Sequence, residues 1–166
     1  MSMNDNVPGK SSRASRINIS QLMQPQHANS YGNLHGGWIM KLVDEAGALA
    51  SMRHAQQRVV IVPVDQMTFH QPIRLGDLVT LTAEVSCVGS TSMETEVNIV
   101  AENPITGVRT HTNTAYVVYV ALDEEGEPVA VPPLIPETES DRERMEAGKK
   151  RQVHRLAQIR NKNSNN

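Results

Sequence analysis

The spacing of hydrophobic residues changes along the chain and separates a helical region from extended ones. Between residues 36 and 54, apolar residues recur every three or four positions and form one stripe, as on an amphipathic helix. Further along, apolar and polar residues alternate, which is typical of strands with one buried face. The clearest case lies within residues 93–102, where alternate positions carry Met93, Thr95, Val97 and Ile99 on one face and Glu94, Glu96 and Asn98 on the other.

This pattern predicts a weak first strand, one long apolar helix, four consecutive strands and a charged final helix. The predicted elements are residues 17–23, 36–54, 59–69, 77–88, 93–102, 108–122 and 137–160. At 1.5 Å per residue the long helix would measure about 28 Å, enough to lie across a whole sheet. We therefore expect an α+β protein in which an antiparallel sheet wraps around one central helix.

The chain is expected to form one domain with short flanking segments. Residues 1–16 are rich in Ser, Asn, Gly and Lys without periodicity, which predicts a disordered tail. Ser140 and Glu143 have the spacing of a capping box, and Gly148 weakens the helix prediction around it. The predicted divisions are a tail at 1–16, a domain at 17–135, a charged C-terminal helix at 136–160 and a disordered end at 161–166.

Composition and charge exclude several classes of function. The net charge is −2 over 166 residues, and the aromatic residues are one Trp, three Tyr and one Phe, too few for stacking on nucleic-acid bases. A single cysteine excludes an intrachain disulfide or a thiolate metal cluster. The longest apolar run, residues 115–122, is far shorter than the ~20 residues of a membrane helix, and the N-terminus has no apolar signal core. We expect a cytoplasmic protein that binds no nucleic acid and does not insert into membranes.

The segment that leads into the long helix is the first candidate for chemistry. This helix-start loop, residues 29–37, reads Asn-Ser-Tyr-Gly-Asn-Leu-His-Gly-Gly. Backbone N–H groups at a helix start lack partners, and glycines let a ligand oxygen approach them, so Gly36 and Gly37 could hold a phosphate or an oxyanion. The alternative is an ordinary capped helix whose glycines only accommodate a turn, and spacing alone leaves both open.

Asp44 is the second candidate because it lies nearly opposite the apolar stripe. Most of its neighbours on that face are small, and small residues let another backbone approach closely. These neighbours are Gly37, Met40, Lys41, Gly47, Ala48 and Ser51. The alternative is a surface aspartate paired with Lys41.

Helix geometry separates these two candidates from each other. Gly36 and Asp44 are eight residues apart, hence about 12 Å along one helix. An oxyanion donor and a general base must each lie within about 3 Å of the reacting group or its water. One helix cannot present both to one carbonyl, so a shared site would require a second, antiparallel copy in a two-fold dimer.

Other reactive residues show no organised pattern. The six histidines are scattered, no metal-ligand spacing is present, and no Gly-x-Ser-x-Gly elbow marks a serine nucleophile. We therefore expect no metal site. His35, beside the glycines, is expected to shape the loop rather than act as a base. Cys87 is expected to be a small core or surface residue.

Taken together, these segments resemble the hotdog-fold acyl-coenzyme A thioesterases. The likeness is greatest to the cytosolic acyl-CoA hydrolase group, which includes bacterial single-hotdog and animal brain-type tandem enzymes. It covers roughly residues 17–157. The motifs that carry it are the helix-start loop, Asp-Glu-Ala-Gly-Ala at 44–48, Met-Thr-Phe at 67–69, Pro-Ile at 72–73, Gly-Asp at 76–77, Gly-Ser-Thr-Ser-Met at 89–93, Val-Pro at 131–132 and Pro-Glu-Thr-Glu at 136–139.

The resemblance implies a hotdog fold with an added C-terminal helix and dimers that usually assemble as trimers of dimers, a homohexamer. It implies hydrolysis of fatty acyl-CoA to free fatty acid and CoA without a metal or prosthetic group. Asp44 would be the catalytic acid, Asn29 its partner from the other subunit, and Gly36 the backbone donor to the oxyanion. Asp44 would activate water as a general base, or attack directly through an anhydride; the sequence leaves both routes open.

The resemblance also suggests substrate contacts. The turn Gly89, Ser90, Thr91 and Ser92 matches a segment that helps hold the CoA arm. Arg58, with Arg74, Lys41 and the basic end of the final helix, is a candidate for binding the CoA phosphates. Met67 and Phe69 would shape the acyl pocket, and Gly37 would line the site beside Gly36.

Three other functions remain as alternatives. A hotdog dehydratase would need a histidine base, for which His35 is the one plausible residue, and would release no free thiol. A non-catalytic acyl-CoA-binding regulator usually carries a DNA-binding segment, and no helix-turn-helix pattern is visible here. A purely structural hotdog protein would have no reason to carry both Asn29 and Asp44.

Overall fold

A five-stranded antiparallel sheet forms the centre of the protein. The computed structural model describes residues 7–62, 67 and 71–163. The strand order is β2-β4-β5-β6-β3, and every neighbouring pair is antiparallel. The strands are β2 (Ile17–Leu22), β3 (Arg58–Ile61), β4 (Leu78–Val88), β5 (Ser92–Glu102) and β6 (Arg109–Leu122).

One long helix, α2 (Gly36–Ala55), packs its apolar stripe against one face of this sheet. Ile39, Leu42, Val43, Ala46 and Ala50 of the helix are all at most 3% exposed. The α+β architecture and the predicted order of elements are therefore confirmed. The prediction succeeds because the apolar stripe of the helix and the apolar face of the strands are both visible in the local sequence. Packing the stripe on that face removes both hydrophobic surfaces from water. In the described part of the chain, no helix is long and apolar enough to cross a membrane.

The opposite face of the sheet is covered at one end by α3 (Glu139–Asn163). As a result β4 alternates between buried and partly exposed residues only as far as Ala83, and the next four residues are all buried. Glu94 of β5 lies under α3 with 2% of its side chain exposed and accepts hydrogen bonds from Arg151 and Arg155. Although burial opposes its ionisation, these bonds lower the pKa of Glu94 below its ordinary value.

The start of α3 differs from the predicted capping box. Thr138 and Asp141 form the box instead of Ser140 and Glu143. The N–H of Asp141 donates to Thr138 Oγ1 at 3.1 Å, and Asp141 Oδ2 accepts from the N–H groups of Glu137 and Thr138, both at 3.0 Å. Burial acts against ionisation, but hydrogen bonds from Arg144 and from these N–H groups lower the pKa of Asp141 to about 2. Thr138 with Asp141 and Ser140 with Glu143 both have the residue types and spacing of a capping box. Asp141 also accepts a hydrogen bond from Arg144, which favours the first pair.

Gly148, which weakened the helix prediction, allows α3 to approach β4 closely. A Cβ atom added there would lie 2.5 Å from Cys87 Cβ, so no other residue fits without movement. The helix prediction itself is confirmed. Its C-terminal limit was too early, because α3 continues through residues 161–163, which were predicted to be disordered.

The prediction of a disordered tail at residues 1–16 is wrong for its last part. β1 (Lys10–Ser11) pairs in parallel with β7 (Leu134–Ile135), and α1 (Ser12–Ser15) follows. Ser15 is fully buried, and its hydroxyl accepts the N–H of Val85 at 3.0 Å. This order comes from hydrogen bonds to distant segments, which composition does not report. Residues 1–6 and 164–166, and most of the predicted strand at 59–69 beyond Val62, lie outside the described residues.

Candidate functional site

The helix-start loop is fixed on both sides before it enters α2. His27, 3% exposed, stacks on Trp38 with ring centroids 4.2 Å apart. The N–H of Leu34 donates to the carbonyl of Ile73 at 2.9 Å, and Leu34 also forms a β-bridge with Ala28. The residues around the first turn of α2 are thereby held by side-chain stacking and by backbone pairing.

Asn29 organises the loop with one half of its side-chain amide. Its Oδ1 accepts hydrogen bonds from the N–H groups of Tyr31 at 2.9 Å and Asn33 at 3.2 Å. Because both partners are donors, the oxygen faces the loop and the amide nitrogen faces away. Within the described residues, Asn29 Nδ2 has no acceptor, so two of its N–H bonds can be donated to a ligand or water.

The two glycines at the start of α2 are not equivalent. His35 is the N-cap residue, and its Nδ1 accepts the N–H of Gly37 at 3.0 Å. The N–H of Gly36 has no acceptor in the part of the chain that the structure describes, and a Cβ added to Gly36 would meet nothing within 4 Å. The open backbone donor is thus Gly36, whereas the predicted contact of Gly37 with a ligand would have to displace His35.

His35 caps the helix, as expected of a residue that shapes the loop. An Nδ1 that accepts a hydrogen bond is unprotonated, so a neutral His35 ring carries its proton on Nε2. Neither ring nitrogen is then free to abstract a proton.

An apolar cavity opens beside the Gly36 amide. It has a volume of about 190 Å³. Its lining residues are Leu34, Gly36, Ile39, Gln71, Pro72 and Ile73. An unpaired N–H at the edge of an apolar cavity can hold a carbonyl oxygen while the substituent of that carbonyl is buried.

Asp44 is exposed on α2, and its carboxylate is held by a residue of the sheet. The Tyr119 hydroxyl donates to Asp44 Oδ1 at 3.0 Å. Lys41 forms its ion pair with Glu45 at 2.6 Å, so the alternative in which Lys41 neutralises Asp44 is not the arrangement found. Sequence reasoning missed Tyr119, because an apolar position in an alternating strand carries no sign of a functional contact.

Two of the small residues near Asp44 are explained by contacts within the same protomer. A Cβ added to Gly47 would lie 2.7 Å from the Tyr119 hydroxyl oxygen, and Ser51 forms a hydrogen bond of 2.8 Å with Thr95 of the sheet. These two residues are buried under the sheet of their own protomer. The expectation that the small face admits another backbone is wrong for Gly47 and Ser51, because a tyrosine and a threonine fill that space.

The predicted site residues fall into two groups at different places along α2. Asn29, Gly36 and Gly37 lie at its start, next to the segment that leads into β4. Asp44 lies further along the helix and accepts a hydrogen bond from Tyr119. Tyr119 is paired across the sheet with Met93, the residue that directly follows the turn at residues 89–92. The turn follows the C-terminal end of β4, whereas the first group lies near the segment before its N-terminal end; the strand itself spans ten residue steps, roughly 33 Å.

The residues predicted to contact substrate have varied surroundings. Arg58 donates from Nη2 to the carbonyls of Asp123 and Glu124 at 2.7 and 2.8 Å, so part of its guanidinium fixes a turn. Met67 is half-buried and packs against the main core. Phe69 lies outside the described residues.

The turn at residues 89–92 is anchored mainly through its backbone. The N–H of Gly89 donates to the carbonyl of Ser92, and the carbonyls of Ser90 and Thr91 accept the N–H groups of Val131 and Ala121. Ser90, Thr91 and Ser92 are not fully buried. The turn therefore presents a fixed, partly exposed edge.

Comparison with known proteins identifies the family. Residues 31–108 match the family model described as the thioesterase superfamily. An uncharacterized acyl-CoA thioester hydrolase of Bacillus subtilis, YkhA, is 33% identical over 129 residues, which are 78% of this chain and 75% of that protein. The chain belongs to the thioesterase superfamily. The rat cytosolic acyl coenzyme A thioester hydrolase is 34% identical over 86% of this superfamily member, which spans only 38% of the rat protein's length.

Solved structures of the superfamily share the whole architecture. The acyl-CoA hydrolase of Staphylococcus aureus, in complex with butyryl coenzyme A, coenzyme A and coenzyme A disulfide, superimposes with a TM-score of 0.87 at 32% identity, covering 95% of this chain and 96% of that one. An apo-hexameric acyl-CoA thioesterase gives 0.88 at 32% identity, with 92% and 98% covered. The predicted hotdog fold and its C-terminal helix are confirmed.

Proposed function

We propose that this superfamily member hydrolyses acyl-CoA thioesters to a free fatty acid and CoA. The observation that carries the proposal is the open N–H of Gly36 beside an apolar cavity, a geometry suited to a thioester carbonyl and its acyl chain. Relatives and structural neighbours named acyl-CoA hydrolases support it, and one neighbour binds butyryl coenzyme A.

The proposed site is shared between two copies of the chain. Asp44 stands eight residues after Gly36 on one unbroken helix, about 12 Å away, so one protomer cannot bring both to the same carbonyl. Antiparallel packing of two α2 helices would set the start of one helix against Asp44 of the partner subunit. The separation of Asp44 from the site residues at the start of α2 fits this model. Each two-fold dimer would then contain two equivalent sites. The hexameric neighbour supports further assembly as a trimer of dimers.

The reaction proceeds through an oxyanion in this proposal. Water attacks the carbonyl carbon, and its proton passes to the carboxylate of Asp44. The negatively charged oxygen that forms accepts a hydrogen bond from the N–H of Gly36. Asn29 orients the water or the carbonyl through its Nδ2 hydrogens. The C–S bond then breaks, and the CoA thiolate takes up the proton. Attack by Asp44 itself through an anhydride is the competing route, and neither route needs a metal or prosthetic group.

The remaining predicted residues bind substrate in this scheme. The acyl chain occupies the apolar cavity, whose extent Met67 and Phe69 help to set. The pantetheine arm follows the subunit seam past Gly37 to the fixed turn at Gly89, Ser90, Thr91 and Ser92. The guanidinium of Arg58 contributes positive charge for the CoA phosphates.

A dehydratase reaction is less well supported. It would require His35 to abstract a proton, and the Nδ1 lone pair already accepts the hydrogen bond from the N–H of Gly37.

A free-thiol assay with short, medium and long acyl-CoAs tests the proposal. We expect thiol release by the wild-type protein, near-complete loss in Asp44→Ala, and retention of most activity in Glu45→Ala, a control at the next exposed position of the same helix. Absence of thiol release with acyl-CoA binding intact would favour the non-catalytic regulator.

Subunit mixing tests the shared site. Asn29→Ala and Asp44→Ala proteins are each expected to be nearly inactive, and their mixture to regain part of the activity because a hybrid dimer contains one intact site. Continued inactivity after mass spectrometry has verified subunit exchange would contradict the shared site.

A further inference from the structure

The Tyr119 hydroxyl is aimed at Asp44 from inside the protein. Tyr119 is 1% exposed, and its hydroxyl oxygen lies 3.0 Å from Asp44 Oδ1 and 3.1 Å from the Asp44 backbone carbonyl. The hydroxyl has one proton to donate, and a charged carboxylate is a stronger acceptor than a carbonyl that already serves a helix. The carboxylate is therefore the principal acceptor.

Gly47 makes this contact possible. It lies three residues after Asp44, one helical turn along, where any side chain would point at the tyrosine. An added Cβ would be 2.7 Å from the hydroxyl oxygen and 3.1 Å from Cε2 of the ring. The ring is buried in the core, so the absence of a side chain at Gly47 preserves the position of the hydroxyl.

Tyr119 is held in its protonated form, which donates the hydrogen bond to Asp44. Burial, followed by the nearby negative charge of Asp44 and the hydrogen bond to it, raises the pKa of Tyr119 well above its ordinary value. Tyr119 occupies Oδ1, whereas Asp44 Oδ2 has no hydrogen-bond partner among residues 7–62, 67 and 71–163.

We propose that Tyr119 is a positioning residue that fixes the rotamer of Asp44 and leaves Oδ2 directed at the attacking water. The inference rests on the proposed function, in which Asp44 is the base. An exposed aspartate without this bond would populate several rotamers, and only some of them would place an oxygen near the water. Tyr119 touches neither water nor substrate in this scheme and acts through Asp44 alone.

Tyr119→Phe tests the inference because it removes one oxygen atom and keeps the ring. We expect kcat to fall about tenfold, equivalent to about 1.4 kcal/mol, with KM changed less than about twofold, since substrate contacts are intact. Gly47→Ala, which displaces the hydroxyl but keeps it, should lower kcat in the same way. Tyr116→Phe, on the same strand with its ring against Arg151, is the matched control and should keep the wild-type kcat.

The outcomes separate this inference from the proposed function. If the wild type is active, Asp44→Ala is inactive, and Tyr119→Phe keeps both full kcat and the wild-type melting temperature, the positioning role is overturned and the proposed function stands. A Tyr119→Phe protein with a raised KM and unchanged kcat would also overturn it, because that pattern indicates a binding contact. A wild-type protein that releases no thiol would overturn both.

Discussion

Replacing Gly36 with proline would remove the proposed oxyanion donor while leaving the helix in place. Gly36 is the first residue of α2, the position at which proline is best tolerated, because its missing N–H has no partner within a helix. His35, directly before it, has φ −67° and ψ 129°, which is the extended conformation that a following proline requires. The Cβ of a residue at position 36 also has space, since it meets nothing within 4 Å.

The expected effect is large for activity and small for stability. Loss of one oxyanion donor typically lowers kcat by about 10²–10³, or roughly 3–4 kcal/mol of transition-state stabilisation. The N–H that is lost makes no hydrogen bond within the described residues, so the melting temperature should be unchanged or slightly raised. The matched control, Gly36→Ala, keeps the N–H and should retain activity within about threefold of wild type because its Cβ has room.

The measurements are the rate of thiol release from acyl-CoA, inhibition by free CoA as a gauge of binding, and thermal unfolding. A Gly36→Pro protein that turns over substrate as fast as Gly36→Ala would refute the reasoning, because catalysis would then not depend on this N–H. Equal losses in both variants would assign the effect to crowding near the cavity.

Two further predictions concern the docking of α3. Gly148→Ala should destabilise the protein by about 1–2 kcal/mol in urea unfolding, because the new Cβ, 2.5 Å from Cys87 Cβ, outweighs the gain in helix propensity of about 1 kcal/mol; increased stability would contradict the close approach. Asp141, with its pKa lowered to about 2, contributes stability that is fully present above the ordinary aspartate pKa of 3.8 and disappears as the pH falls toward 2. Asp141→Asn should therefore lower the melting temperature at pH 7 and reduce its decline between about pH 4 and pH 2, and an unchanged pH profile would rule out this contribution.

Much of the fold follows from patterns that are local in sequence. The alternation along residues 93–102 predicts β5, and the stripe along residues 36–54 predicts α2 to within one residue at its C-terminus. Such periodicity is informative because each element must direct its apolar side toward a common core, whatever its neighbours are. The start of α2 at Gly36 and the outward position of Asp44 were predictable for the same reason.

Other features depend on contacts between distant segments. Buried Ser15 accepts the N–H of Val85, and Thr138 rather than Ser140 caps α3 through Asp141, which also accepts a hydrogen bond from Arg144. A polar residue in a low-complexity segment does not reveal a partner 70 positions away. These choices were therefore made by packing, which local propensity does not encode.

Some features of the candidate site likewise follow from the local sequence, and others depend on tertiary contacts. The sequence by itself determined the helix-start loop and the spacing from Gly36 to Asp44, since rise per residue is a constant of the helix. The proposal that a site using both residues takes one of them from a second copy follows from that spacing. Only the tertiary structure decided that Gly36 rather than Gly37 keeps an open N–H, and that Asp44 is held by Tyr119 from the sheet. Distances within a helix follow from counting residues, whereas a hydrogen bond between a helix and a strand exists only after the chain has folded.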